Sequence, residues 1–146
     1  MELRSDHVSY LIVHHTATAR DLTTAEAVRR YHVESREWDD IGYHYFIEAD
    51  GRLQKGRADN VRGAHCRADD MNGKSLGICL AGHFDLEPPT IGQMMALAAL
   101  LKALMAKYEV SAENVLGHGE VSGASTSCPG EVMREWIKIF RDEQSS

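Results

Sequence analysis

Residues 9–14, SYLIVH, form a short apolar run, β-branched at Ile12 and Val13, that breaks off into the polar corner HHT at 14–16. A run this short and this apolar reads as a buried strand. SLGICLA at 75–81 reads the same way. Between them YHYFIEA at 43–49, then Asp50-Gly51, then Arg52 to Lys55 reads as a hairpin, because Asp-Gly supplies the positive φ angles of a type I′ turn. Val115 to Gly117 makes a further short strand, followed by a loop rich in Ser and Gly through Ser127.

Helical periodicity fills the intervals. Thr23 and Glu26 have capping-box spacing, and Val28, Tyr31 and Ser35 line one face of a helix whose other face is Arg29, Arg30 and Glu34. Thr90 and Gln93 repeat that spacing ahead of Met94, Leu97, Ala98, Leu101, Leu104, Met105 and Tyr108, the best helix signal in the chain. A last helix is predicted from about Pro129 to Arg141, with Val132, Met133, Trp136, Ile137 and Phe140 inward. Interleaved strands and helices with a central hairpin predict an α/β (mixed α+β) fold: one mixed sheet flanked by about three helices, a single domain over residues 1–146. The long connection 56–74, with three Gly, is expected to be a binding loop.

Composition narrows the function classes. With 146 residues, 43% hydrophobic and 26% charged, the chain has an ordinary globular make-up. A formal charge of −6 with scattered Lys and Arg argues against nucleic-acid binding. The most apolar stretch, 94–106, is broken by Lys102 and too short to span a bilayer, so no membrane role is expected. MELRSDHVSY lacks the apolar core of a secretory signal, which predicts synthesis in the cytoplasm. Three cysteines make no disulfide framework.

His14 and His15 end a strand, His118 sits just past a short apolar segment, and Cys128 precedes the last helix, so all three places open onto polar loops. Catalytic zinc takes three ligands from His, Cys and carboxylates and leaves a fourth position to water, and His14, His118 and Cys128 would serve. No compact spacing links them. Successive strand residues face opposite ways, so only one of His14 and His15 faces a given cleft. Cys79 reads as a buried small hydrophobe, Cys66 as a loop thiol without evident role, and His7, His32 and His83 as surface or hydrogen-bonded histidines.

Several ordered motifs carry a family likeness: LIVHHTAT at 11–18, DIGYHYFIEADG at 40–51, GAH at 63–65, NGKSLGICLAG at 72–82 and GHGEVSGASTSCPG at 117–130. Together they are similar to those of the type 2 zinc-dependent N-acetylmuramoyl-L-alanine amidases, which include small phage endolysins and peptidoglycan recognition proteins. The resemblance implies one Zn2+ per chain on His14, His118 and Cys128. It implies Tyr43 and Thr126 as catalytic residues, and His65 and Asn72 in the substrate groove. Thr at 126 departs from the Lys of many phage members and matches many recognition proteins.

The resemblance further implies hydrolysis of peptidoglycan or muropeptides by a monomeric endolysin, made in the cytoplasm and released to act on the bacterial cell wall. An amide is a poor electrophile, and a zinc site answers both of its needs, a strong nucleophile and oxyanion stabilisation. Four alternatives stay open: a cell-wall recycling amidase, a peptidoglycan-binding module that does not cut, a metallohydrolase acting on some other amide, and a structural zinc site whose fourth position is closed by His15 or His44. His44 itself reads as structural support on the strand face away from Tyr43.

Overall fold

The computed structural model describes residues 1–4 and 6–145. Its five-stranded sheet has the order β3-β2-β4-β1-β5, with β1 at Tyr10–His15, β2 at Tyr45–Ile47, β3 at Leu53–Lys55, β4 at Ser75–Leu80 and β5 at Val115–Gly117. β1 runs parallel to both β4 and β5, β2 runs parallel to β4, and only the hairpin pair β2–β3 is antiparallel. The sheet is therefore mixed, as the interleaving predicted.

Both faces are covered, which is why the central strands are apolar throughout. Leu11 and Val13 of β1 and Leu76, Ile78 and Leu80 of β4 share one face. Against it pack Leu97, Leu101 and Leu104 of α3 (Ile91–Tyr108) and Met133, Ile137 and Phe140 of α4 (Glu131–Ser145). The opposite face presents Ile12, His14, Phe46 and Cys79 beneath α1 (Ala25–Arg30), the 61–70 segment and α2 (Met71–Lys74).

The predicted cap of α3 forms in full: Thr90 Oγ1 accepts from the Gln93 backbone, and the Gln93 side chain accepts from the Thr90 backbone, both at 3.0 Å. The fully buried Gln93 amide also donates to the Ala81 carbonyl at 2.8 Å, tying the helix to the end of β4.

Elsewhere the details differ from expectation. Thr24, not Thr23, caps α1, accepting from Ala27 N at 3.1 Å. The helix then passes into a π-turn at Tyr31–Ser35, and the added residue shifts the phase. His32 turns inward while Tyr31 and Ser35 face solvent. In the hairpin only Gly51 has positive φ, 93°, and Glu48 N donates to Arg52 O, so a three-residue loop replaces the type I′ turn. α4 starts at Glu131 rather than Pro129, and Val132 is exposed. The 56–74 connection is ordered by a bridge between Leu3 and Val61 and by the short α2.

Two buried histidines fasten these loops. His32 Nδ1 accepts from Gly42 N at 3.0 Å. His44 Nδ1 accepts from Gly77 N at 3.1 Å, so its other nitrogen carries the proton and donates to Val61 O at 2.8 Å. Burial, with Arg36 and Arg57 beside His32 and Arg4 beside His44, lowers each from 6.5 to about 4. The unfolded chain thus binds more protons than the folded one between these values. Stability is complete above pH 6.5 and falls as pH drops toward 4, by on the order of 3 kcal/mol for each residue. Urea unfolding midpoints should decrease steadily from pH 7 to pH 4.5, and His44→Gln should flatten that slope; a midpoint indifferent to pH across this window would refute the assignment.

Candidate metal centre

β1 carries His14 onto the face away from α3 and α4, where it is almost fully buried. Pairing of Val13 with Gly117 sets the next residue of the adjacent chain, His118, level with His14, and the two rings lie 4.7 Å apart. His118 is held by a 3-10 turn, His118–Glu120, in which Glu120 accepts from Gly117 N at 2.9 Å. Arg141 of α4 grips both carboxylate oxygens of Glu120 at 2.8 Å and donates to Val115 O. Bidentate pairing of this kind fixes orientation as well as adding energy.

Cys128 arrives across this turn. Gly119 N donates to Cys128 O at 2.8 Å, and a side chain at 119 would place its Cβ 2.5 Å from the Thr126 carbonyl oxygen. Glycine is therefore what lets the 126–128 segment close over His118. Cys128 Sγ accepts from His15 N at 3.4 Å and lies 3.7 Å from His14 Nδ1. Ligating atoms of His14, His118 and Cys128 all fall within 4.8 Å of one another, the sole such grouping among the described residues.

The donor chemistry suits a divalent zinc ion. Burial, then the neighbouring His118, pushes His14 well below its usual range, and burial lowers His118 too, so both imidazoles stay neutral, as ligands must be. Burial pushes the Cys128 thiol up to about 12 despite the His15 N–H. Sequence placed this cysteine immediately before the last helix, expected from about Pro129. α4 begins three residues further on, burial dominates, and a cation is what the thiolate requires.

Neither sequence candidate for a fourth protein ligand turns toward the cluster. His15, on the opposite sheet face, accepts at Nδ1 from Phe84 N at 3.1 Å, and His44 is committed to Gly77 and Val61. Tyr43, by contrast, stands beside the ligands, its ring 5.2 Å from that of His14. Burial, with Cys79 and Cys128 nearby, raises its pKa well above the usual 10, so it keeps its hydroxyl proton.

Thr126 is exposed, and its Oγ1 accepts from Cys128 N at 3.2 Å. His65 is half-buried, with Nδ1 2.9 Å from His14 Nε2. Asn72 Oδ1 accepts from both His65 N and Cys66 N at 2.8 Å, holding the loop that carries His65. His65, Asn72 and His118 also line a cavity of about 560 Å³ with Arg36, Trp38 and Arg67. A second, of about 410 Å³, is lined by Tyr43, His32, Thr16 and again Arg36, so His118 and Tyr43 each border a hollow.

Sequence reading missed Glu120, Arg141, Gly119 and Arg36. The glycines around His118 were the available signal for a close crossing; nothing local points from Arg141 to Glu120.

A mixed α/β sheet that gathers two neutral imidazoles, a half-buried thiol and a protonated tyrosine at one face fits a metallohydrolase type of site. The comparisons narrow it further. The family described as N-acetylmuramoyl-L-alanine amidase matches residues 4–131. The chain is 35% identical to peptidoglycan-recognition protein SC2 of Drosophila melanogaster over 133 residues, 86% of this chain and 70% of that protein. It is 33% identical to the endolysin of Escherichia phage T7 over 132 residues, 86% of this chain and 83% of that one. Among solved structures, the endolysin amidase LysCS of Clostridium intestinale URNW superposes with a TM-score of 0.81 at 33% identity, covering 95% of this chain and 87% of that one. The chain belongs to the N-acetylmuramoyl-L-alanine amidase family.

Gly119→Ala tests the crossing. Crowding against the Thr126 carbonyl should destabilise the chain by about 1–3 kcal/mol and reduce bound zinc, read by urea unfolding and by metal content after dialysis. Unchanged values in both would mean the segment has room to spare.

Proposed function

We infer that this chain is a zinc-dependent amidase that hydrolyses the amide bond between N-acetylmuramic acid and L-alanine in peptidoglycan, acting as a monomer with one zinc on His14, His118 and Cys128. The observation that carries this reading is the convergence of those three ligand atoms beside Tyr43 in a chain of this family. When bound, zinc polarises the scissile carbonyl and brings the pKa of a bound water from 15.7 to about 7.

The chain's own residues do the rest. Tyr43, protonated and half-buried, donates its hydroxyl hydrogen toward the carbonyl oxygen as negative charge grows there. Thr126, hydrogen-bonded to the Cys128 backbone, presents a small polar group on the solvent side of the same segment. Arg36 and Arg67 offer cations along the cavities for carboxylates of a stem peptide, with His65 and Asn72 in the wall of the larger one. No helix among the described residues is long and apolar enough to cross a membrane, and an endolysin-like role at the cell wall fits the relatives.

A binding module without activity is the weaker alternative, because ligand set and tyrosine are complete here. Purified chain incubated with defined muropeptides should release free peptide, and a chelator should stop the release until zinc is restored. Tyr43→Phe should lower turnover about a hundred- to a thousandfold with zinc retained, the usual effect of removing one oxyanion donor. Cys128→Ser should lose zinc as well as activity. Binding without release by the zinc-loaded chain would return the module to first place.

A further inference from the structure

The polar atoms behind His14 form a line that ends on a group able only to accept. Ser75 Oγ donates to the Met71 carbonyl at 2.6 Å. Ser75 is fully buried, and a hydroxyl has one hydrogen, so toward its other neighbour, His65 Nε2 at 3.3 Å, it can only accept. His65 thus carries its proton on Nε2, and its Nδ1 is a lone pair. That Nδ1 lies 2.9 Å from His14 Nε2, which supplies the hydrogen. His14 is left with an unprotonated Nδ1, the nitrogen that lies 3.7 Å from Cys128 Sγ.

A separate feature shows that the place of His65 is built. A Cβ at Gly77, in the middle of β4, would sit 2.6 Å from Cγ and Cδ2 of the His65 ring and 2.8 Å from its Nδ1. A Cβ at Gly63 would sit 2.6 Å from His65 Cδ2. Neither glycine has positive φ, so the backbone does not demand glycine at either position; the ring does. Asn72, through its two bonds to the His65 and Cys66 amides, sets the ring's height over this slot.

We propose that His65 is a positioning residue for the metal centre: clasped between Gly63 and Gly77 and oriented by Ser75, it fixes His14 in the tautomer that presents Nδ1 to zinc. The proposal rests on the amidase reading above for the identity of the metal, and adds to it the residues that set how tightly that metal is held. A ligating imidazole whose outer nitrogen is bonded is held in ring angle and tautomer, and losing such an outer partner weakens metal affinity about 10- to 100-fold.

The test needs no substrate. In the intact chain labelled with nitrogen-15 histidine, long-range proton–nitrogen correlations at pH 7.5 should show His65 and His14 both protonated on Nε2. Zinc affinity, measured by competition with a chromophoric chelator, should fall about 10- to 100-fold in Ser75→Ala and His65→Leu. His65→Asn, whose Oδ1 can accept where Nδ1 did, should stay close to the unaltered chain. A proton on His65 Nδ1 overturns the proposal, as does zinc affinity unchanged in His65→Leu, the result expected of a residue that only touches substrate and raises KM. Should His65→Leu fail to fold, the tautomers of the unaltered chain decide alone. If zinc affinity and tautomers behave as described while muropeptides remain uncut, the relay stands and the amidase reading falls.

Discussion

Side chains along β1 alternate between two covered faces, and everything chemical in this molecule depends on that alternation. Leu11, Val13 and His15 go to the face packed by α3 and α4; Ile12 and His14 go to the other. A slip of one residue would bring His15 to the ligand side and bury His14 beneath helices that offer it no partner. The register of β1 with β4, six paired positions from Tyr10–Ser75 to His15–Leu80, is therefore a condition on the site as much as on the core. Apolar residues on both faces of the parallel strands make that register expensive to change, since any slip exposes one apolar set or buries a polar one.

Around this fixed strand the other two members of the cluster, His118 and Cys128, come from loops, and loops need close crossings to reach a buried imidazole. Gly119 admits the Thr126–Cys128 segment over His118, and Gly63 and Gly77 admit the His65 ring against β4. Polar side chains then take over the work that regular pairing does in the sheet. Arg57 donates to the carbonyls of Ile41 and Arg62, and Arg4 to those of Asp59, Gly73 and Val61, so the 56–74 connection is pinned although it has little regular structure. Asp59 joins in: burial alone would raise its pKa, but hydrogen bonds from Tyr108, Lys55 and Tyr45 bring it down to about 2.

What could be read in the sequence follows the range of the forces involved. β1, β4 and α3 were legible because alternation, apolar runs and the Thr90–Gln93 box are local, and the Asp-Gly pair located the hairpin even though its turn type was wrong. The π-turn at 31–35 was not legible, because it answers to a distant demand, the seat of His32 under Gly42 beside Trp38 and Tyr43. At the site, residue types and motif order pointed to His14, His118 and Cys128, but more than a hundred residues separate the first from the others, and the parallel pairing of β1 with β5 together with the crossing at Gly119 makes them neighbours. His65 was read as facing substrate. Its bond to His14 could not be seen, because it depends on how Asn72 folds the loop back.

The same reasoning explains why so many histidines can sit together without destabilising the fold. His14, His65, His44 and His118 crowd into one region, and each would be costly if charged. Burial keeps them neutral, and a neutral imidazole is both donor and acceptor, able to continue a directed chain of hydrogen bonds where a carboxylate could only accept and an ammonium only donate. The direction of such a chain is set wherever one member has no choice, here at the carbonyl oxygens of Met71 and Val61. Backbone carbonyls on the framework thereby dictate which nitrogen of a remote ring is free. The sheet and its loops thus orient the His14, His118 and Cys128 cluster through fixed acceptors as well as through packing.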